Sequence, residues 1–517
     1  MKKRNVFTVV TLSSLIVMTA LTGCSKSTEE ASSKPVATGE AKPSDSGKSG
    51  EKALEPVELT WYYPGTVQKD AALIQEEINK ITKAKINATV KLSVIDWGAY
   101  DQKMNVINAT NEPYDLAFTS SWTNNYYQNV AKGSFAPLDE LLTKYAPKLK
   151  SSMPAQFWDA TKVDNKIYGI INQQIFAKAY GVFIRKDLAD KYGLDIKTVK
   201  KSEDLEPFFD QVLKGEKGIT PLALNNEVNV TLPYKSQFDT IGDQFSPGVV
   251  MIGDKGLKVV NQYETPEMKA HFEDAKKWFD KGYIKKDVTS TKRDQADGDM
   301  KAGKYAALIN VVKPGGEQEL KSKYGFEFVS AYLEKPIVST EGIISTLNAI
   351  SKSSKNPERA MMFMELMNTD KQLYNLISHG IENKHYVKVA DNVIGMPSGV
   401  TAETNSYNPN SDWMFGNQFN GYYTDKSQVG AWEATQKLNN EAAYSDLLGF
   451  SFNPEPVNSK IAQVTTVLNQ YLNALQTGTS DPNTLLPQLI QKLKAAGGDD
   501  IVKEKQAQID KWKASKK

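Results

Sequence analysis

Residues able to do covalent or metal chemistry are scarce in this chain of 517 residues, which holds one cysteine, Cys24, and three histidines, His271, His379 and His385. Zinc and copper sites need clustered imidazoles or thiolates. His379 and His385 are six apart, which does not place two ligands on one helical face. All three histidines read as structural or exposed, and neither a metal nor a cofactor is expected. No nucleophile elbow is present. The 61 carboxylates offer no signature selecting a pair at the separations of about 5–5.5 Å or about 6.5–9.5 Å that glycoside hydrolysis needs. The chain does not read as an enzyme. Binding chemistry is abundant instead. The stretch "SDWMFGNQFNGYY" (411–423) packs Trp413, Phe415, Asn417, Gln418, Asn420, Tyr422 and Tyr423 into thirteen residues. Flat rings supply apolar faces, and amides both donate and accept hydrogen bonds. The competing use of the same residues is to bury the rings and cap turns with the amides.

Cys24 lies in "ALTGCSKSTEE", behind Lys2, Lys3, Arg4 and the mostly apolar run 6–21. A membrane-spanning helix needs about 20 apolar residues. This run is shorter and broken by hydroxyls, as in a secretory leader. Leu21, Thr22 and Gly23 ahead of the cysteine resemble a bacterial lipobox, in which the thiol takes a diacylglycerol and the preceding peptide is removed. The resemblance implies a signal peptide over 1–23, lipidation at Cys24 and a place on the extracytoplasmic face of a Gram-positive cell membrane. With no second cysteine there is no intramolecular disulfide, so the fold must rest on its core.

Hydrophobic residues make up 40% and charged residues 24% of the chain, an ordinary globular balance. The formal charge of +2 includes the three cations of the leader, so the remainder is close to neutral. Without a long basic run, nucleic acid is excluded as a partner. Arginine occurs only at 4, 185, 293 and 359, which weighs weakly against phosphate or carboxylate ligands. A general lysine bias explains the same count.

These residues need elements to position them. Residues 24–56 are rich in Ser, Lys, Glu, Gly, Pro and Ala and predict a disordered linker with a reach of about 30 Å. Strands are predicted in "PVELTWYYPG", "ATVKLSVIDW" and "YDLAFTSS", with helices over 69–83 and near 98–110 between them. This alternation indicates an α/β domain with a largely parallel sheet. New strands at "KIYGIINQQ" and "KAYGVFIRKD" mark entry to a second lobe. Thr265 and Pro266 cap a helix with Met268, Phe272, Ala275 and Phe279 as its stripe. Asn356 and Pro357 open a methionine-rich helix whose apolar face reads as core. Amphipathic helices follow at about 458–476 and 484–496, then a polar terminal helix around Trp512.

Together, "DMKAGKYAALINVVKPGG" (299–316), "STLNAISKSSKNPERAMMFMELMNTDKQ" (345–372) and "GFSFNPEPVNSKIAQVTTVLNQY" (449–471) resemble family 1 extracellular solute-binding proteins, the last resembling the C-terminal region of LipO-type lipoproteins. The resemblance implies a type II periplasmic-binding-protein fold: two α/β lobes, a hinge and added C-terminal helices. It implies a first lobe over 57–175 and 331–400, and a second over 176–330 completed by 401–517. It also implies a monomer that hands a carbohydrate, an oligosaccharide in particular, to the permease of an ABC importer. In open α/β sheets ligands bind beyond the carboxyl ends of strands. That rule selects Trp61, Tyr63, Trp97, Ser121, Trp122, Tyr126, Gln173 and Gln174, and composition adds Trp413, Asn417 and Gln418. A pyranose has an apolar C–H face and a hydroxyl rim, which suits rings and amides. Trp122 is expected on the first lobe and Trp413 on the opposing wall. Peptide cargo, a sensor or adhesin role, and a surface glycoside hydrolase remain as alternatives.

Overall fold

The computed structural model describes residues 54–515 apart from 227, 231, 234–236 and 244. The expected leader, Cys24 and the linker up to residue 53 lie outside the described residues. Among the described residues no helix is long and apolar enough to cross a membrane.

The first lobe is built on a five-stranded sheet. Its spatial order is Ala88–Ile95, Val57–Pro64, Leu116–Thr119, Leu347–Ile350, Ile170–Ile171. The first three strands are parallel, and the late strand Leu347–Ile350 runs antiparallel to both of its neighbours. Leu59, Trp61 and Tyr63 alternate along Val57–Pro64 and are all buried, the period of two that one face of a strand dictates. Helix Ala71–Ile86 buries Ile74 and Ile78 one turn apart and ends at Asn87 in the left-handed conformation, a usual stop for a helix. Helix Pro357–Thr369 buries Met361, Met364 and Met367, so its methionines are core.

The second lobe has a four-stranded sheet in the order Phe328–Tyr332, Tyr180–Arg185, Tyr305–Val311, Thr220–Ala223. A separate core joins the antiparallel strands Phe238–Thr240, Val249–Met251 and Val259–Val260 to helices Asn458–Gln476, Pro482–Ala495 and Gly498–Ser515. Helix Pro266–Asp280 links the two cores. Thr265 Oγ1 accepts from Met268 N at 3.3 Å to cap it. Met268 and Phe272 pack with the C-terminal helices, whereas Ala275 and Trp278 pack under the four-stranded sheet. Trp278, not the expected Phe279, is the fully buried ring, and its Nε1 donates to Glu206 Oε1 at 3.1 Å.

The lobes are connected by three chain crossings that pair into a small sheet. Ile337–Val338 lies antiparallel to Ala177–Lys178 and parallel to Ala443–Tyr444. Asn439 secures the first crossing. Its Oδ1 accepts from Phe176 N at 2.7 Å and Ala177 N at 3.0 Å, and its Nδ2 donates to Gln174 O at 2.7 Å. One boundary needs correction. Residues beyond 400 were expected to return to the second lobe at once, but Tyr407, Met414 and Phe415 are buried in the first-lobe core. Phe415 sets its ring edge-on to Trp61 and Tyr63 at 5.7 and 5.2 Å. The final crossing therefore falls at Ala443–Tyr444.

Asp239 sits where the C-terminal core meets this hinge and accepts a hydrogen bond from Ser445 Oγ, while its Oδ1 finds no partner among the described residues. Burial pushes its carboxyl up to about 7 from 3.8, against the Ser445 hydrogen bond and reinforced by Glu341 and Asp446. The folded state then holds this proton more tightly than the unfolded chain. Its stabilisation is complete below about pH 4 and is lost as pH climbs to about 7. Asp239→Asn should remove that loss. Thermal unfolding is expected to show the variant gaining on the parent between pH 4 and 8, and a constant gap would refute the assignment.

Candidate functional site

Three indoles converge at the carboxyl ends of the first-lobe strands. Trp97 follows Ala88–Ile95 in a short helical turn, where Asp96 Oδ1 accepts from Gly98 N at 3.0 Å. Trp122 follows Leu116–Thr119, in a turn closed by Ser120 Oγ accepting from Trp122 N and Thr123 N at 3.2 and 2.8 Å. Trp413 lies in the turn Asp412–Met414, tied back by Tyr374 OH donating to Asp412 O at 2.8 Å. Trp97 stacks on Trp122 with ring centroids 6.1 Å apart and on Trp413 at 6.2 Å, while Trp122 and Trp413 are 6.2 Å apart. Phe118 backs Trp122 and Trp413 from the core side at 6.0 and 5.8 Å. Trp122 Nε1 donates to Ser345 O at 2.8 Å, which orients the ring. All three indoles are half-buried, so the triangle keeps apolar surface open.

The opposing wall differs from the sequence expectation. Trp413 stands on the same lobe as Trp122, because residues 407–415 pack into the first-lobe core. The second lobe instead offers Arg293, at the start of helix Arg293–Lys301, with its guanidinium carbon 5.2 Å from the Trp97 ring centroid. This is a cation–π distance. On the hinge side, Glu341 accepts from Ser121 Oγ at 3.2 Å, and Lys178 contacts Ser345 Oγ. Burial pushes the Lys178 ammonium down to about 8, opposed by Glu341 and aided by Lys313. One aromatic wall therefore has charged groups of both signs beside it.

Other expected contacts are structural. Trp61 and Tyr126 are fully buried and Tyr63 nearly so. Trp61 and Tyr63 belong to the strand itself, not to the loop beyond its end, so the pleat turns both rings into the core. Tyr126 OH donates to Thr161 O. Gln173, Gln174 and Gln418 are buried with their amides engaged. Gln173 Nε2 donates to Asn368 Oδ1 at 3.2 Å, Gln174 Nε2 to Thr346 Oγ1 at 2.5 Å, and Gln418 Nε2 to Asp412 Oδ2 at 2.9 Å. Asn417 is half-buried and accepts from Phe419 N at 3.1 Å. Of these, Gln418 and Asn417 brace the loop that presents Trp413. Arg293, Lys178 and Glu341 carried no local motif. The only trace of Arg293 in the sequence was the rarity of arginine. Arg185 and Arg359 are structural, bonded respectively to Gly303 O and to the carbonyls of Glu55, Ile86 and Asn87.

Alanine substitutions separate the two kinds of tryptophan. Trp97→Ala, Trp122→Ala or Trp413→Ala should weaken ligand binding by roughly 1–3 kcal/mol, about tenfold to a hundredfold, if the rings act as hot spots. Trp61→Ala should instead cost about 3–5 kcal/mol of stability. Calorimetric titration beside thermal melts checks both. Normal affinity in all three platform variants would remove the platform from the site.

Known proteins resemble this chain over most of its length. Residues 65–373 match the family described as bacterial extracellular solute-binding proteins, and 446–514 match a domain of unknown function, DUF3502. A carbohydrate ABC transporter substrate-binding protein of Streptococcus pneumoniae serotype 4 is 29% identical over 485 residues, 92% of this chain and 94% of the relative. The Bacillus subtilis polygalacturonan/rhamnogalacturonan-binding protein YtcQ is 25% identical across 67% of this chain and 69% of its own. The N-glycan transport solute-binding protein NgtS of Streptococcus pneumoniae, crystallised with Man1GlcNAc, superposes with a TM-score of 0.78 at 28% identity, covering 88% of this chain and 99% of that one. The two-lobed fold and the match over residues 65–373 place the chain among the bacterial extracellular solute-binding proteins, to which it belongs.

Proposed function

We propose that the protein captures an oligosaccharide between its lobes and delivers it to an ABC importer, working as a monomer from a lipid anchor at Cys24. The observation that carries this reading is the triangle of half-buried indoles at 6.1–6.2 Å. Such a surface accepts the C–H faces of successive sugar rings, which need flat apolar contact. Polar groups along the cleft, Arg293, Lys178 and Glu341 among them, would meet hydroxyls. NgtS, crystallised with Man1GlcNAc and with Man5GlcNAc, supports an oligosaccharide over a peptide. The hinge permits capture by closure, which requires only that ligand bind the closed form better than the open one.

A thermal-shift panel tests the reading with mannose–N-acetylglucosamine oligosaccharides, pectin fragments and short peptides. A ligand that binds only the folded form adds about 4 kcal/mol at a thousandfold excess over its dissociation constant. An upward shift with an oligosaccharide, joined by contraction in small-angle scattering, is expected. Stabilisation by peptides alone would overturn the proposal.

A further inference from the structure

The C-terminal helices do more than enlarge the second lobe. Lys505, in the middle of Gly498–Ser515, is completely buried. Its ammonium donates to Ser246 Oγ at 2.9 Å, Pro247 O at 2.8 Å and Gly248 O at 3.0 Å. The same turn is gripped from the other side. Gln262 Nε2 donates to Ser246 O at 3.2 Å, its Oε1 accepts from Gly248 N at 3.1 Å, and Tyr263 OH donates to Phe245 O at 2.8 Å. Two glycines make the close fit possible. Gly248 has φ +107°, and a Cβ there would come 2.6 Å from Lys505 Cδ; Gly242 has φ +75°, and its Cβ would meet Phe452 at 2.7 Å. A backbone without regular structure is thus immobilised carbonyl by carbonyl, which accounts for burying a lysine here.

At its free end the turn presents Asp243. Asp243 Oδ1 accepts from Phe245 N and Ser246 N at 3.0 and 3.1 Å, which points the other oxygen outward. Oδ2 then lies 3.5 Å from both Asn125 Nδ2 and Gln128 Nε2 of the first lobe, a few residues beyond Trp122. We propose that residues 446–514, acting through Lys505, hold Ser246, Pro247 and Gly248 so that the nearby Asp243 engages Asn125 and Gln128 as a latch that biases the cleft toward closure. Lys505 is a positioning residue, and Asp243 makes the contact. The inference rests on lobe closure and not on which ligand is carried.

The latch can be tested without any ligand. Cys24→Ser leaves the chain free of cysteine, so dyes can be placed at Val106→Cys on the first lobe and Ile252→Cys beside the latch, both exposed positions. Single-molecule energy transfer then reports the balance of open and closed molecules. Gln128→Lys should raise the closed-to-open ratio and Gln128→Glu should lower it, each by about twofold to fivefold, the scale of an exposed charge pair. Both responses should vanish in Asp243→Ala and in Lys505→Met. If Lys505→Met does not unfold cooperatively, Ser246→Ala, which removes one acceptor from the cage, serves in its place. A response to charge at 128 that survives Asp243→Ala overturns the contact. One that survives loss of the cage overturns the role given to the C-terminal region.

Discussion

The side-chain amide of Asn348 joins three parts of the chain that the cleft requires together. Its Oδ1 accepts from Trp61 Nε1 at 3.0 Å, and its Nδ2 donates to Asn172 Oδ1 at 2.9 Å and Met414 O at 3.1 Å. Trp61 belongs to the first strand, Asn172 to the segment leaving for the second lobe, and Met414 to the turn that carries Trp413. Asn348 is fully buried. Losing any one arm would strand a polar group away from water, at about 1–3 kcal/mol. The late strand is thereby fixed in the sheet by its backbone and ties the Trp413 loop to it by its side chain. Gln173 extends the arrangement one residue further, donating its N–H to Gly416 O at 2.7 Å and accepting from Gln418 N at 2.9 Å.

Local order in the sequence accounts for much of the fold. The cap at Thr265, the helix Asn458–Gln476 and the strand Ala88–Ile95 all follow from spacing and termini. The platform was legible because Trp97 and Trp122 fall just past the predicted strands Ala88–Ile95 and Leu116–Thr119. Two kinds of information are not local. Trp61 and Tyr63 lie within the strand that the stretch "PVELTWYYPG" predicts, so the rule for residues beyond a strand's end does not apply to them, and the pleat buries both rings. The lobe that holds Trp413 depends on Phe415 packing against Trp61, about 350 residues earlier in sequence, and no period or cap encodes such a contact. Glutamine and asparagine were the most misleading, because an amide that holds a loop has the same composition signal as one awaiting a ligand.

Charge shows a similar division between composition and placement. A nearly neutral chain implies no particular partner, yet the cleft gathers Arg293 over Trp97, Lys178 beside Ser345 and Glu341 against Ser121. Arg293 comes from the lobe opposite the tryptophans, so its distance from Trp97 changes whenever the lobes move. The three short crossing strands pair with each other, which favours rotation of one lobe against the other over independent fraying. Buried amides thus hold the Trp413 loop and the first crossing, and a buried lysine holds Ser246, Pro247 and Gly248.

A crystal structure of the protein with the oligosaccharide that gives the largest thermal shift tests the central claim most directly. A pyranose ring laid against Trp97, Trp122 and Trp413, with Arg293 facing it from the second lobe, is the result the account predicts. A sugar bound with the indole triangle uncovered, for example in the groove between Pro266 and Pro482 on the C-terminal region, would contradict it.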